Sequence, residues 1–230
     1  SSVGRTDEAV AQLRRILTVD SSPGVQASVH LNLGTILANA ERQEEAIIQL
    51  RRSLELQPGL IAARARLANL LAELGRYPDA AAEFGELVRL QPDNPEARFG
   101  EAVSLLLAEQ YPQALSSLEA ATQAFPTQSG FHNALARLLA TCPDEDIRDG
   151  ERALEIATEL AQTGQSLEVY ETLAMALAEV GRFEEAAELQ DRLVQEAANT
   201  GQTELADTFR SRLETYRQSQ PCRAPWLPTN

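Results

Sequence analysis

The chain contains no lysine; all twenty of its basic residues are arginine. That excludes chemistry built on a lysine amine, from Schiff bases to the lysine of a nucleotide-gripping loop. Cysteine is nearly absent too. Cys142 and Cys222 stand 80 residues apart, with no CxxC spacing and too few thiols for a disulfide framework. They read as independent reduced thiols; a staple between them would require the tail to fold back and an oxidising compartment. Aromatics are only 5% of the chain and runs of β-branched residues are rare, which argues against a sheet core. No stretch approaches the roughly 18 apolar residues of a membrane-spanning helix. No secretory signal is visible, and no glycine-rich phosphate loop, metal cluster or nucleophile–base motif appears.

Charge of one sign dominates. Thirty-four acids against twenty arginines give a formal net charge of −14. A phosphate backbone or an anionic membrane would repel such a molecule at long range, so neither nucleic acid nor membrane insertion is expected. The plain reading is that the acids solvate an outer face. His30 and His132 are the only histidines; both fall at the same register position and read as packing residues, not as an acid–base pair. The run "DEDIRDGERALE" has acids at alternating positions before Gly150, as a calcium loop does. Its register is poor, because Arg148 takes a liganding position. Pro143 opening a turn and Asp146 or Asp149 capping the next helix fits better.

What the chain does contain is a period. Ala46 returns at Ala80 and Ala114, and Pro58 at Pro92 and Pro126, always 34 residues on. Leu33-Gly34, Leu67-Ala68 and the Ala102 position keep the same step. Hydrophobic residues make up 43% of the chain, with alanine and leucine dominant, which favours tightly packed helices. Small residues and prolines at fixed offsets with this period resemble the tetratricopeptide-repeat (TPR) family. The resemblance implies an all-α, right-handed α-α superhelix (TPR solenoid) with a C-terminal capping helix. Each repeat would be two helices, A and B, with proline closing helix B.

The repeats divide the chain as follows. Residues 1–23 supply a helix B alone, with Gly4-Arg5, Ala9, Leu13 and Ile16 matching Gly75-Arg76, Ala80, Phe84 and Leu87. Full repeats span 27–60, 61–94 and 95–128. A fourth covers 129–165 with an inserted loop at 141–150, and a fifth 166–200. Residues 201–218 carry Leu205, Phe209, Leu213 and Tyr216 on one stripe, and Glu204, Asp207, Arg210, Arg212 and Glu214 on the other face, as a capping helix should. The tail 219–230, with three prolines, is expected to be extended. Glu101 departs from the pattern, sitting where other repeats have leucine; a surface position with a salt bridge is the simpler expectation. The start in mid-repeat predicts further chain upstream. The lysine-free composition and the resemblance lean towards a bacterial, extracytoplasmic source.

In the TPR family, helix A lines the concave groove that binds a peptide. Carried over by register, the resemblance implies a groove of Asn32, Thr35 and Asn39, then Arg66, Asn69 and Glu73, then Phe99 and Val103, then Asn133 and Arg137. Leu31, Ala65, Leu106, Leu107, Glu171, Met175 and Glu179 fall on or beside the same face. Asparagine amides can both donate to and accept from a peptide backbone. Phe99 and its apolar neighbours between Arg66 and Arg137 would suit an apolar anchor with an acidic group. The carboxylate clamp of chaperone-binding relatives is not kept: Ala65, Glu96 and Gly100 stand where basic residues are needed. An asparagine ladder is also broken, since Arg66, Gly100, Ala134 and Thr172 follow Asn32. The expectation is a non-catalytic protein–protein interaction scaffold with no cofactor or metal, binding a protein or peptide. The alternatives are self-association through the N-terminal half-repeat, giving a homo-oligomer, or an accessory domain of a larger enzyme.

Overall fold

The computed structural model of the chain describes residues 2–19, 22–164, 166–223 and 226, the first four by backbone alone. The side-chain matches expected for Gly4 and Arg5, and tail positions 224–225 and 227–230, lie outside what is described. Among the described residues all regular structure is α-helical. The chain divides into two compact units, Ser1–Ala108 and Glu109–Asn230.

The first unit holds α1 (Ser2–Val19), α2 (Pro23–Asn39), α3 (Gln43–Leu56), α4 (Ile61–Glu73), α5 (Tyr77–Leu90) and α6 (Pro95–Leu107). Each helix packs on the one before it, and α4 also touches α2 and α6. The helices α2, α4 and α6 therefore form one layer, with α3 bridging the first two and α5 the last two. The core is built from the periodic residues. Leu33, Leu37, Ala46, Leu50, Leu67, Ala68, Leu71 and Ala80 are all buried, and each large one contributes roughly 1.5–3 kcal/mol through burial. Close approach explains the small partner in each pair: a Cβ on Gly34 would lie 2.6 Å from Leu50 Cγ.

The third repeat inverts this arrangement. A Cβ on Gly100 would lie 2.5 Å from Phe84 Cε1, so the phenyl ring fills the space that the glycine vacates. Beside it, Glu101 Oε1 lies 3.0 Å from the position of a Cβ on Gly85. Glu101 is half-buried over that second glycine, not a surface acid of the expected kind. Two adjacent helices thus exchange large and small positions without losing density.

The turns between paired helices share one geometry. Gly75 and Gly181 adopt φ of 70° and 81°, and Glu41 and Glu109 reach φ of 61° and 57° at equivalent places. The left-handed residue lets the chain double back while Arg42, Arg76 and Arg182 N–H groups donate to Leu37, Leu71 and Leu177 carbonyls at 2.9 Å. Those bonds satisfy carbonyls that a helix end leaves open. Glycine adopts this conformation with little strain, whereas glutamate carries a cost.

The second unit holds α7 (Tyr111–Ala124), α8 (Ser129–Thr141), α9 (Gly150–Thr163), α10 (Leu167–Glu179), α11 (Phe183–Asn199) and α12 (Thr203–Arg217). Successive helices pack on each other, and α8 also touches α10. No left-handed turn joins α8 to α9. Residues 142–149 replace it, anchored by Asp149 N–H donating to Leu139 O at 3.0 Å. Asp149 Oδ1 accepts from Arg152 N at 3.0 Å and caps α9, the role the acidic run suggests. At the other end, α12 buries Ala206, Phe209, Leu213 and Tyr216, and Gln190 Nε2 of α11 donates to Phe209 O at 3.1 Å inside that contact.

Candidate functional site

The expected groove residues of the first unit stand on one layer, that of α2, α4 and α6. Asn32, Asn39, Asn69 and Glu73 are exposed, and Thr35, Arg66 and Val103 are half-buried. Phe99 is 45% exposed, an unusual state for a phenylalanine on a packed helix. Of its leucine neighbours, Leu106 turns inward and is buried while Leu107 remains half-buried. Thr35 Oγ1 donates to Leu31 O at 3.0 Å, so its hydroxyl is used by its own helix.

Arg66 ties the layer together. Its Nη2 donates to Asn39 Oδ1 at 2.6 Å, linking α4 to α2. Its Nε is buried and has no hydrogen-bond partner among the described residues. No carboxylate among them pairs with it, whereas Arg64, two residues away, is paired with Glu83 at 2.5 Å. A guanidinium with no carboxylate partner among the described residues, on a layer that also carries exposed amides and Phe99, can receive a carboxylate with good geometry.

The second unit treats the same register positions differently. Asn133 is half-buried, and its Oδ1 is buried with no hydrogen-bond partner among the described residues. Arg137 is not the free cation the register implies. Its Nη2 pairs with Glu171 Oε2 at 2.6 Å, and its Nε donates to Thr172 Oγ1 at 3.3 Å. Arg212 of α12 pairs with the other oxygen of Glu171. Glu171, Thr172 and Met175 are all buried. Burial lowers the pKa of both guanidiniums. It also pushes up the neighbouring Tyr216 phenol and Cys222 thiol, despite the opposing pull of the two arginines. This is a largely buried Arg–Glu–Arg triad on a face that the register alone reads as open.

Arg212 corrects the expectation that the polar face of α12 turns wholly to water: its side chain is 17% exposed. The signal was in the spacing, three residues after Phe209 and four before Tyr216, on the flank of the buried stripe. Arg148 and Arg223 were missed altogether. Both hold Glu179, Arg148 Nε at 3.0 Å and Arg223 Nη1 at 2.6 Å. Neither could be foreseen by period, because one lies in the insertion and the other in the tail.

The remaining polar candidates have local partners. His30 Nδ1 lies 2.8 Å from Gln49 Oε1, a tie between α2 and α3, and His132 Nδ1 lies 3.3 Å from Gln128 O. Cys142 and Cys222 are free thiols, the first buried and the second half-buried. Among the described residues no group of three or more His, Cys, Asp or Glu side chains is placed to hold a metal. No described helix is long and apolar enough to cross a membrane.

Comparison with known proteins agrees with this architecture. The tetratricopeptide-repeat family model matches residues 2–61, 65–129 and 144–201, most of the chain. The chain therefore belongs to the tetratricopeptide-repeat family, an all-α fold class of interaction scaffolds. It is 35% identical over 74 residues to the peroxisomal targeting signal receptor of Saccharomyces cerevisiae, which covers 32% of this chain. That match spans only 12% of the receptor. Among solved structures it is similar to YrrB, described as a TPR protein with an unusual peptide-binding site, at TM-score 0.64 and 16% identity, covering 86% of this chain and 97% of that one. MamA is similar at TM-score 0.65 and 14% identity, covering 78% and 96%.

Proposed function

We propose that this protein is a scaffold whose α2–α4–α6 face in the first unit binds an extended peptide bearing an apolar anchor and a carboxylate. The observation that carries the reading is Arg66, held by Asn39 and without a carboxylate partner among the described residues, on a layer that also exposes Phe99. The guanidinium takes the acid, Phe99 meets the apolar side chain, and Asn32 and Asn69 bond to the peptide backbone. Asn133 and Arg137 belong to the second unit and are left out of this surface, since Arg137 is already committed to Glu171. The descriptions of two relatives, a targeting-signal receptor and a TPR protein with a peptide-binding site, support the same class of ligand.

The test is a peptide array varying one acidic and one apolar position, with affinities from fluorescence anisotropy. Arg66→Glu should weaken acid-bearing peptides about tenfold or more, as loss of a charge-assisted bond does. Phe99→Ala should weaken those with an apolar anchor. Circular dichroism checks that both variants stay folded. Unchanged selection by both variants would refute the assignment.

A second reading has its own observation. On α1, Ile16 is 42% and Val19 86% exposed, apolar positions that another helix could cover. Light scattering across a concentration series tests this: mass rising with concentration, and falling back in Ile16→Glu, favours self-association there.

A further inference from the structure

After α12 the chain turns back. Ser219 adopts φ of 56°, and the N–H groups of Ser219 and Gln220 donate to Tyr216 O and Thr215 O. Beyond that turn Cys222 packs against the cluster of Ala174, Leu177, Ala178 and Tyr216. Arg223 Nη1 reaches Glu179 Oε2 at 2.6 Å. Trp226 meets Tyr111 at the start of α7 in an edge-to-face contact, ring centroids 6.2 Å apart and planes inclined by 62°.

One of these contacts falls on a helix-A position that stays open in the first unit. Glu73 of α4 is exposed; Glu179, at the equivalent position of α10, is 13% exposed and clamped between Arg148 and Arg223. The tail is chemically suited to the site. Residues 219–230 hold one arginine and no acid, in a chain of net charge −14. Three prolines among them limit the conformations lost on docking, as in proline-rich recognition segments. Arginine to carboxylate, an apolar side chain in the cluster and indole on tyrosine are the contacts of a bound peptide, not of a helix cap.

We infer that the surface between Glu179 of α10 and Tyr111 of α7 in the second unit is a peptide-binding site for an extended segment carrying arginine and, three residues on, an aromatic ring, and that the chain's own tail fills it as an exchangeable internal ligand. A peptide from another chain with the same spacing must displace Arg223 and Trp226 to enter. The site is distinct from the α2–α4–α6 face and does not depend on that reading.

Trp226 is the only tryptophan, so its fluorescence reports tail occupancy in the full chain. Arg223→Glu should shift emission to the red and raise acrylamide quenching, leaving the helical circular dichroism unchanged. A labelled synthetic peptide with the sequence of residues 219–230 should bind this variant measurably. Its affinity for the unsubstituted chain should be about tenfold or more weaker, since the tail competes in cis. The same peptide with its arginine replaced by glutamate should not bind. A chain ending at Gln218 should bind the peptide as the variant does, and Glu179→Arg within it should abolish binding; the full-length Arg223→Glu variant stands in should that shortened chain unfold. If Trp226 emission does not move in Arg223→Glu, or neither altered chain binds the peptide, the tail is a fixed part of the fold and the inference is overturned.

Discussion

Replacing Glu171 by glutamine tests whether the triad of the second unit is as dry as its geometry says. The substitution keeps the shape and removes the negative charge. Arg137 and Arg212 then face each other with no carboxylate between them, and their side chains are only 23% and 17% exposed. Breaking a buried pair by deleting one partner costs about 3–5 kcal/mol, because the remaining charge has neither water nor a counterion. The arginines keep some solvent, so the lower end applies, about 3 kcal/mol. For a chain of this length that amounts to a fall in Tm of roughly 6–12 °C. Thermal melts followed by circular dichroism, with urea titrations alongside, measure it. The exposed pair Arg182–Glu185 provides the contrast: Glu185→Gln should cost under about 1 kcal/mol, and salt should erase much of that. Replacing all three triad residues, as Arg137→Met, Glu171→Met and Arg212→Leu together, should restore stability to near the parent value or above it. A Glu171→Gln loss no larger than that of Glu185→Gln would mean that water screens the triad, and the account of this face would fail.

Two further substitutions probe the packing. Gly100→Ala gains up to about 1 kcal/mol of helix propensity, but its methyl meets the Phe84 ring at 2.5–2.7 Å, an overpacking that costs about 1–3 kcal/mol. A net loss of about 1 kcal/mol, relieved when Phe84→Leu is added, is expected in urea titrations; a net gain would show that the ring yields freely. Tyr216 carries a buried hydroxyl with no hydrogen-bond partner among the described residues, and burial raises its pKa. The neutral phenol is thus favoured in the folded state: stability is full below the unfolded pKa of about 10 and falls as pH rises beyond it. Tyr216→Phe should flatten that alkaline decline and leave neutral-pH stability equal or up to about 1 kcal/mol higher. A marked loss at pH 7 would mean that the hydroxyl is partnered.

The family and fold class were legible because the packing rule repeats. Gly34 against Leu50 is the contact that the 34-residue step of Leu33-Gly34 and Ala46 announces, and the left-handed turns at Gly75 and Gly181 follow from glycine at a fixed offset. The acidic insertion was legible for a local reason, since Asp149 caps α9 by a rule that spans three residues. Contacts between segments with no shared period were not legible. Arg148 reaches Glu179 from an insertion, and Arg223 reaches it across 44 residues. The space that Glu101 fills comes from Gly85 on another helix, an absence of side chain that its own repeat does not reveal.

The harder lesson concerns what a register position means. Arg66 and Arg137 both belong to the helix-A set that the resemblance implies for a groove, at different positions of the repeat, and residue type alone does not foretell their different surroundings. Among the described residues Arg66 has the Asn39 amide and no carboxylate. Arg137 has Glu171, which is itself shared with Arg212, so its charge is spent on joining α8, α10 and α12. The same holds for Glu73 and Glu179, one in water and one clamped by two arginines. A polar residue at these positions stays open when solvent lies against it, and serves as a post when other segments of the chain do. What makes the difference at Arg137 and Glu179 is α12, the insertion at 142–149 and the tail, parts of the chain that do not repeat. In the second unit the segments that do not repeat thus decide which polar residues of a helix A are already partnered.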